Sequence, residues 1–202
     1  MKLVWVVTIA IVAFVGVVVG VSAFMGKIGV SSPSYGYITP SEAESVLGGN
    51  WTLSESGSFY FTAYSNGSVL IKLFNGKTTL VSGYSDLVSE VQQFLFSNSL
   101  PSQGMFEYLS GTVNGRPESI VAIYAVYSSP AGAQEEFQNI SYWIHLAAVK
   151  TQSISNSEFA AWGMGISSIT EVRGNTVYYV QVQSNQEVSV SQLEQLLRYI
   201  GG

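Results

Sequence analysis

The chain has no cysteine and one histidine among its 202 residues. Its single aspartate is Asp86. Without cysteine there is no disulfide, no thiolate metal site and no cysteine nucleophile. His145 and Asp86 each stand alone. That removes most histidine-based metal sites, and a Ser-His-Asp triad would need the two to meet by chance. Neither a metal nor a cofactor is implied. Charge is scarce as well. Eight Lys+Arg and thirteen Asp+Glu make up 10% of the residues and leave a net charge of −5. No basic stripe is present to neutralise phosphates, so nucleic acid is not an expected partner. The 47% apolar fraction sets the chain apart from disordered sequences, which combine low hydrophobicity with high net charge. Serine is abundant, yet neither G-x-S-x-G nor S-x-x-K occurs. Gly163-Met164-Gly165-Ile166-Ser167-Ser168 lacks the third glycine, the lysine and the following helix of a phosphate loop. It reads as a glycine-rich strand or bulge.

What is present is most distinctive at the amino terminus. Lys2 and Lys27 bracket the 24 residues Leu3 to Gly26, none of them charged. At about 1.5 Å per residue this run is roughly 36 Å long as a helix, against a hydrocarbon core of roughly 30 Å. Residues 1–27 are therefore expected to form an uncleaved transmembrane anchor, meeting membrane lipid through residues 3–26. The rival is a cleaved signal peptide. Val21-Ser22-Ala23 has the small-residue pattern of a cleavage site, but the apolar run exceeds the about 7–15 residues of a signal sequence. Gly16 and Gly20 form a G-x-x-x-G, which lets two helix backbones approach and would pair two copies as a homodimer. Lys2 precedes the span, and only Lys27 follows it before Lys72. This bias favours a single-pass topology with a cytoplasmic amino terminus and an extracytoplasmic C-terminal domain. Asn50, Asn66 and Asn139 each open a sequon and are candidate glycosylation sites.

Residues 28–39 are rich in Gly, Ser, Pro and Tyr and read as a linker. Residues 40–202 read as an exported α+β domain, an antiparallel sheet with flanking helices, with halves at 40–100 and 101–202. Thr39, Pro40 and Glu42 carry the signals of an N-cap, a first helical residue and a capping box. Gly48 and Gly49 should stop that helix. Asn66-Gly67 and Asn75-Gly76 predict successive hairpins among alternating strands. Ser85 should cap a helix with Leu87, Val88, Val91, Phe94 and Leu95 on its apolar face. A further hairpin is expected around Asn114-Gly115, with Ile120 to Val126 central and covered on both faces. A long helix should run from Pro130 to about Lys150, burying Phe137, Ile140, Ile144 and Ala147. Strands follow at Phe159–Gly165, Ile166–Glu171 and Thr176–Gln183, and a last helix at Val190–Ile200. This order allows two similar α-β-β-β-α lobes whose sheets join.

Aromatic residues are the best binding candidates. Many of the twelve tyrosines fall on strands, where Tyr60, Tyr64, Tyr124, Tyr127, Tyr178 and Tyr179 would line a groove. Trp143 and Trp162 are expected at the surface; with Tyr127 and Tyr179 they form the candidate binding set. No catalytic residue stands out. Adjacent Glu135 and Glu136 diverge on a helix, as do Glu42 and Glu44. The resulting expectation is a membrane-anchored extracytoplasmic interaction or accessory domain, without catalytic activity, that binds another envelope or membrane protein. One alternative is an exported glutamate-dependent glycan hydrolase, which needs two carboxylates about 5–10 Å apart. Another is a structural cell-surface subunit, polymerised through a donated strand.

Overall fold

A computed structural model describes residues 36–82 and 100–201. The expected anchor with Gly16 and Gly20, most of the linker, and the helix expected from Ser85 lie outside the described residues. Among the described residues no helix is long and apolar enough to cross a membrane.

Among the described residues, the domain is a sheet-rich α+β fold with three helices and one ten-stranded antiparallel sheet. Helix α1 (Pro40–Leu47) precedes β1 (Asn50–Leu53), β2 (Phe59–Ala63), β3 (Val69–Leu73) and β4 (Thr78–Val81). The hairpin of β5 (Gln103–Val113) and β6 (Arg116–Val126) follows, then α2 (Pro130–Ala147). β7 (Lys150–Ser155), β8 (Glu158–Gly163), β9 (Ile166–Arg173), β10 (Thr176–Gln183) and α3 (Val190–Gly201) complete the order. Across the sheet the strands lie β4-β3-β2-β5-β6-β10-β9-β8-β7, with β1 paired to β5 alone. The strands of both halves join in one sheet. β2–β4 and β7–β10 are meanders on either side of the β5–β6 hairpin, and β6 sits at the middle of the path.

Local sequence explains most of these elements. Thr39 Oγ1 accepts from the Glu42 N–H at 3.3 Å, and Glu42 Oε2 accepts from the Thr39 N–H at 2.7 Å. These reciprocal bonds satisfy two donors that the first turn leaves free. The Asn-Gly pairs sit in the turns between β2 and β3, β3 and β4, and β5 and β6. β6 is buried from Glu118 onward, as a strand covered on both faces should be.

Three local readings change. β1 and β7 are strands where none was expected. The long helix stops at Ala147, and Ala148 caps it in extended conformation, so Lys150 opens β7 instead of closing α2. Ala147 itself is exposed rather than buried. The Gly163–Gly165 segment is not a bulge but a two-residue hairpin turn between β8 and β9, with Gly163 paired to Ile166. Met164 and Gly165 carry φ of 56° and 77°, and such a turn needs positive φ at both central positions.

Helices cover both faces. α1 and α3 pack on one, burying Leu193, Leu196, Leu197 and Ile200 against Met105, Tyr124, Ile169 and Val180. α2 packs on the other, burying Ala133, Phe137 and Ile140 against Ile123, Val177 and Tyr179. The chain joins the first core before α1 begins, because Ile38 is fully buried.

Strand β1 holds Trp51 flat over β5. A Cβ added at Gly111 would lie 2.5 Å from two atoms of the Trp51 ring. The indole cannot retreat freely, since its Nε1–H donates to the Gly48 carbonyl at 2.7 Å. Gly111→Ala is therefore expected to cost about 1–3 kcal/mol by overpacking, read as a lower midpoint in thermal unfolding.

Candidate interaction surface

The structure separates the four aromatic candidates. Trp143 is on the surface, whereas Trp162, Tyr127 and Tyr179 are buried. Trp162 stands in β8 under the approach to α3, and its Nε1–H donates to the Val188 carbonyl at 2.7 Å. Lys150 closes the site from the neighbouring strand, with Nζ 4.5 Å from the ring centroid. Tyr127 lies in the core under α2, where its backbone bonds Asn175. Tyr179 lies in the same core and donates its hydroxyl to Gln181 Oε1 at 2.8 Å. Burial pushes the Tyr179 phenol well above its ordinary pKa. Of the other strand tyrosines, Tyr124 and Tyr178 are also buried, Tyr60 is half-buried, and Tyr64 is exposed. The strand tyrosines therefore build cores instead of lining one groove.

The surface aromatics converge on α2. Its first half is polar on the outside, with Gln134, Glu135 and Gln138. Its second half is apolar on two sides. Phe137, Ile140 and Ile144 face the sheet. Tyr142, Trp143 and Leu146 project outward, and Val149 continues their line beyond the helix end. These four are 59%, 52%, 57% and 84% exposed. The Val149 N–H donates to the Trp162 carbonyl at 2.8 Å, which sets Val149 beside the β8–β9 turn and its exposed Met164. Met164 holds a left-handed backbone there that asparagine or glycine would adopt at less cost.

The two rings of this stripe are fixed in place. Trp143 Nε1–H donates to Asn139 Oδ1 at 3.1 Å, one turn earlier. Tyr142 meets Trp143 edge to face, with centroids 5.5 Å apart. Such pairing orients both rings before any partner arrives. Trp143 was legible as a surface aromatic, but Tyr142, Leu146, Val149 and Met164 were not singled out. The signal for the first two was the second apolar side of the helix, outside the Phe137-Ile140-Ile144 stripe.

The sequons differ in setting. Asn50 is exposed on β1. Asn66 is exposed in the β2–β3 turn, with Oδ1 accepting from the Ser68 hydroxyl at 2.7 Å and the Ser68 N–H at 3.1 Å. Asn139 is half-buried in mid-helix, with its Oδ1 taken by Trp143.

One group with unusual chemistry lies elsewhere. Glu107 sits in β5 between Met105 and Leu109 on the core face and is fully buried. Its Oε2 accepts from the Ile38 N–H at 2.9 Å, and its Oε1 has no hydrogen-bond partner among the described residues. Burial pushes its pKa up to about 8, opposed by the Ile38 bond and assisted by Glu42. Glu107 was not singled out in the sequence, although the alternation Met105-x-Glu107-x-Leu109 carried the signal of an acid on the core face.

Carboxylate pairing is otherwise a matter of ion pairs. Glu158 lies directly across from Glu171 in the β8–β9 register. Arg173 forks onto Glu171 at 2.7 and 2.6 Å, and Arg198 approaches Glu194 at 3.8 Å. Burial and then Glu171 raise the Glu158 pKa, and the two arginines counter that. Within α2, Glu136 is buried while Glu135 is exposed, so that pair diverges as its helical spacing requires. Among the described residues, no three His, Asp or Glu side chains come together as metal ligands would. His145 is exposed on α2, its ring tilted 6.4 Å from Phe159.

No protein-family model matches the sequence. No curated protein matches it either. Among solved structures, the chain is similar to the extracellular domain of PknH from Mycobacterium tuberculosis, with a TM-score of 0.53 and 12% identity. The match covers 87% of this chain and 96% of the other. At that identity the likeness is one of fold.

Proposed function

We propose that the chain is a membrane-anchored extracytoplasmic domain that works by binding a protein partner through the outer side of α2, without catalysis of its own. The observation that carries this reading is the exposed stripe of Tyr142, Trp143, Leu146, Val149 and Met164. Hydrophobic area of this kind, with its rings already held, marks a docking surface. The uncharged run between Lys2 and Lys27 supports the anchor. The fold likeness to a domain described as extracellular supports export, and Asn66 is the sequon best presented for a glycan. The glycan-hydrolase alternative has the Glu158–Glu171 pair as its foothold, but there the fork of Arg173 already engages the Glu171 carboxylate.

Topology is tested with a single thiol, since the chain has none of its own. Lys77→Cys places it at the exposed β3–β4 turn. A membrane-impermeant maleimide should label this variant in intact cells, and the labelled protein should stay with membranes through an alkaline wash. Labelling only after lysis, or release by the wash, would overturn the reading.

A further inference from the structure

We propose that the occupant of the α2 stripe is a second copy of this chain, docked α2 against α2 across a two-fold axis. This rests on reading the outer side of α2 as an interaction surface and goes on to name its partner.

Area is the first ground. The five residues together expose on the order of 600 Å² of mostly apolar surface, at the upper end of the about 300–600 Å² of the largest patch on a typical monomer. Each partner in a standard interface contributes about 800 Å². Two copies of this stripe therefore come close to a complete interface without further elements.

Charge is the second. A protein of net −5 repels its own copy through any acidic face. The five residues include no ionisable side chain apart from the Tyr142 phenol; exposed His145 flanks them on α2, and the acidic part of the outer surface, at Glu135, is two turns away along the helix. Apposing two such stripes brings no carboxylates together. Shape agrees with this. Tyr142 and Leu146 make a ridge on α2 at a spacing of four, flanked by Trp143 and extended past the helix end by Val149, and a ridge of this kind fits the groove of an identical helix. The bond from Trp143 to Asn139 and the edge contact with Tyr142 reduce the entropy lost when the rings are covered.

Position separates this occupant from the bilayer. Val149 lies beside Trp162, where Val188 leads into α3. Gly36, where the described chain enters from the tether, lies against Tyr199 in the last turn of α3. The length of α3, about 18 Å for its twelve residues, thus stands between the stripe and the tether. Two tethered copies can still meet side by side, and pairing at Gly16 and Gly20 would join the same two chains.

The test uses the full chain in detergent micelles, with Leu146→Cys at the centre of the stripe and Gln195→Cys on the exposed side of α3 as a control. Under mild oxidation at low micromolar concentration, Leu146→Cys should form the disulfide-linked dimer at least tenfold faster than Gln195→Cys. Adding Tyr142→Glu should abolish that excess. Equal rates for the two thiols would overturn the second copy as occupant. A photo-crosslinker attached to the thiol of Leu146→Cys in the protein's own membranes then separates the two levels. A product with the mass of two copies supports the proposal. A product of any other mass overturns it while leaving α2 as an interaction surface. No product at all removes both.

Discussion

Thermal unfolding of the full chain in detergent is expected to have its highest midpoint in mild acid, near pH 4–5, and to lose stability steadily as pH rises through about 8. The cause is Glu107. Folded, it holds its proton up to about pH 8; unfolded, it releases the proton near the ordinary carboxylate value of about 4.3. Between those values the folded state binds more protons than the unfolded state, so stability falls with pH. The contribution is fully present below the unfolded value and is gone above the folded one. Within the window the folding constant changes by up to about tenfold per pH unit. Glu158, also raised, acts in the same direction. Glu107→Gln keeps an acceptor for the Ile38 N–H and has no proton to lose. The variant should flatten the profile between pH 5 and 8 and unfold at a higher temperature than the parent at pH 8. A parent whose midpoint rises across that interval would show that Glu107 is ionised in the folded chain.

The second large effect concerns the two tryptophans of the candidate set. Trp162→Ala should destabilise the domain by about 3–5 kcal/mol, the range for removing a buried aromatic side chain. It also strips the Val188 carbonyl of its donor and Lys150 of its ring. Trp143→Ala should stay within about 0.5 kcal/mol, as a surface change does. Urea titration of both variants checks the contrast. Equal effects would mean that the two indoles share one environment.

These two residues also show what could be read in the sequence. Residue type and helical or strand period do not distinguish Trp143 from Trp162. The burial of Trp162 depends on Val188, 26 residues later, and on α3 folding over it. Such a contact has no local signature. The turns were legible because Asn-Gly supplies its own geometry, and α1 was legible because its cap residues bond one another within four positions. β7 was not. Its sequence, KTQSIS, has little apolar patterning, and Lys150 suits a helix end as well as a strand start. Its place comes from pairing with β8, which only the assembled sheet provides. The α2 surface was half legible. Trp143 stood out by type, while Tyr142 and Leu146 needed the knowledge that Phe137, Ile140 and Ile144 already fill the side facing the sheet. Val149 and Met164 join them through the β7–β8 pairing and a backbone turn.

A membrane-held domain that acts through α2 is expected to show a partner in its native mass. The full chain and its Leu146→Glu variant would be extracted from their own membranes in mild detergent and compared by native electrophoresis with mass identification. The parent is predicted to migrate in an assembly of at least twice its 21.8 kDa, and the variant to be released to a lower mass. A parent that runs as a single copy, indistinguishable from Leu146→Glu, would contradict it.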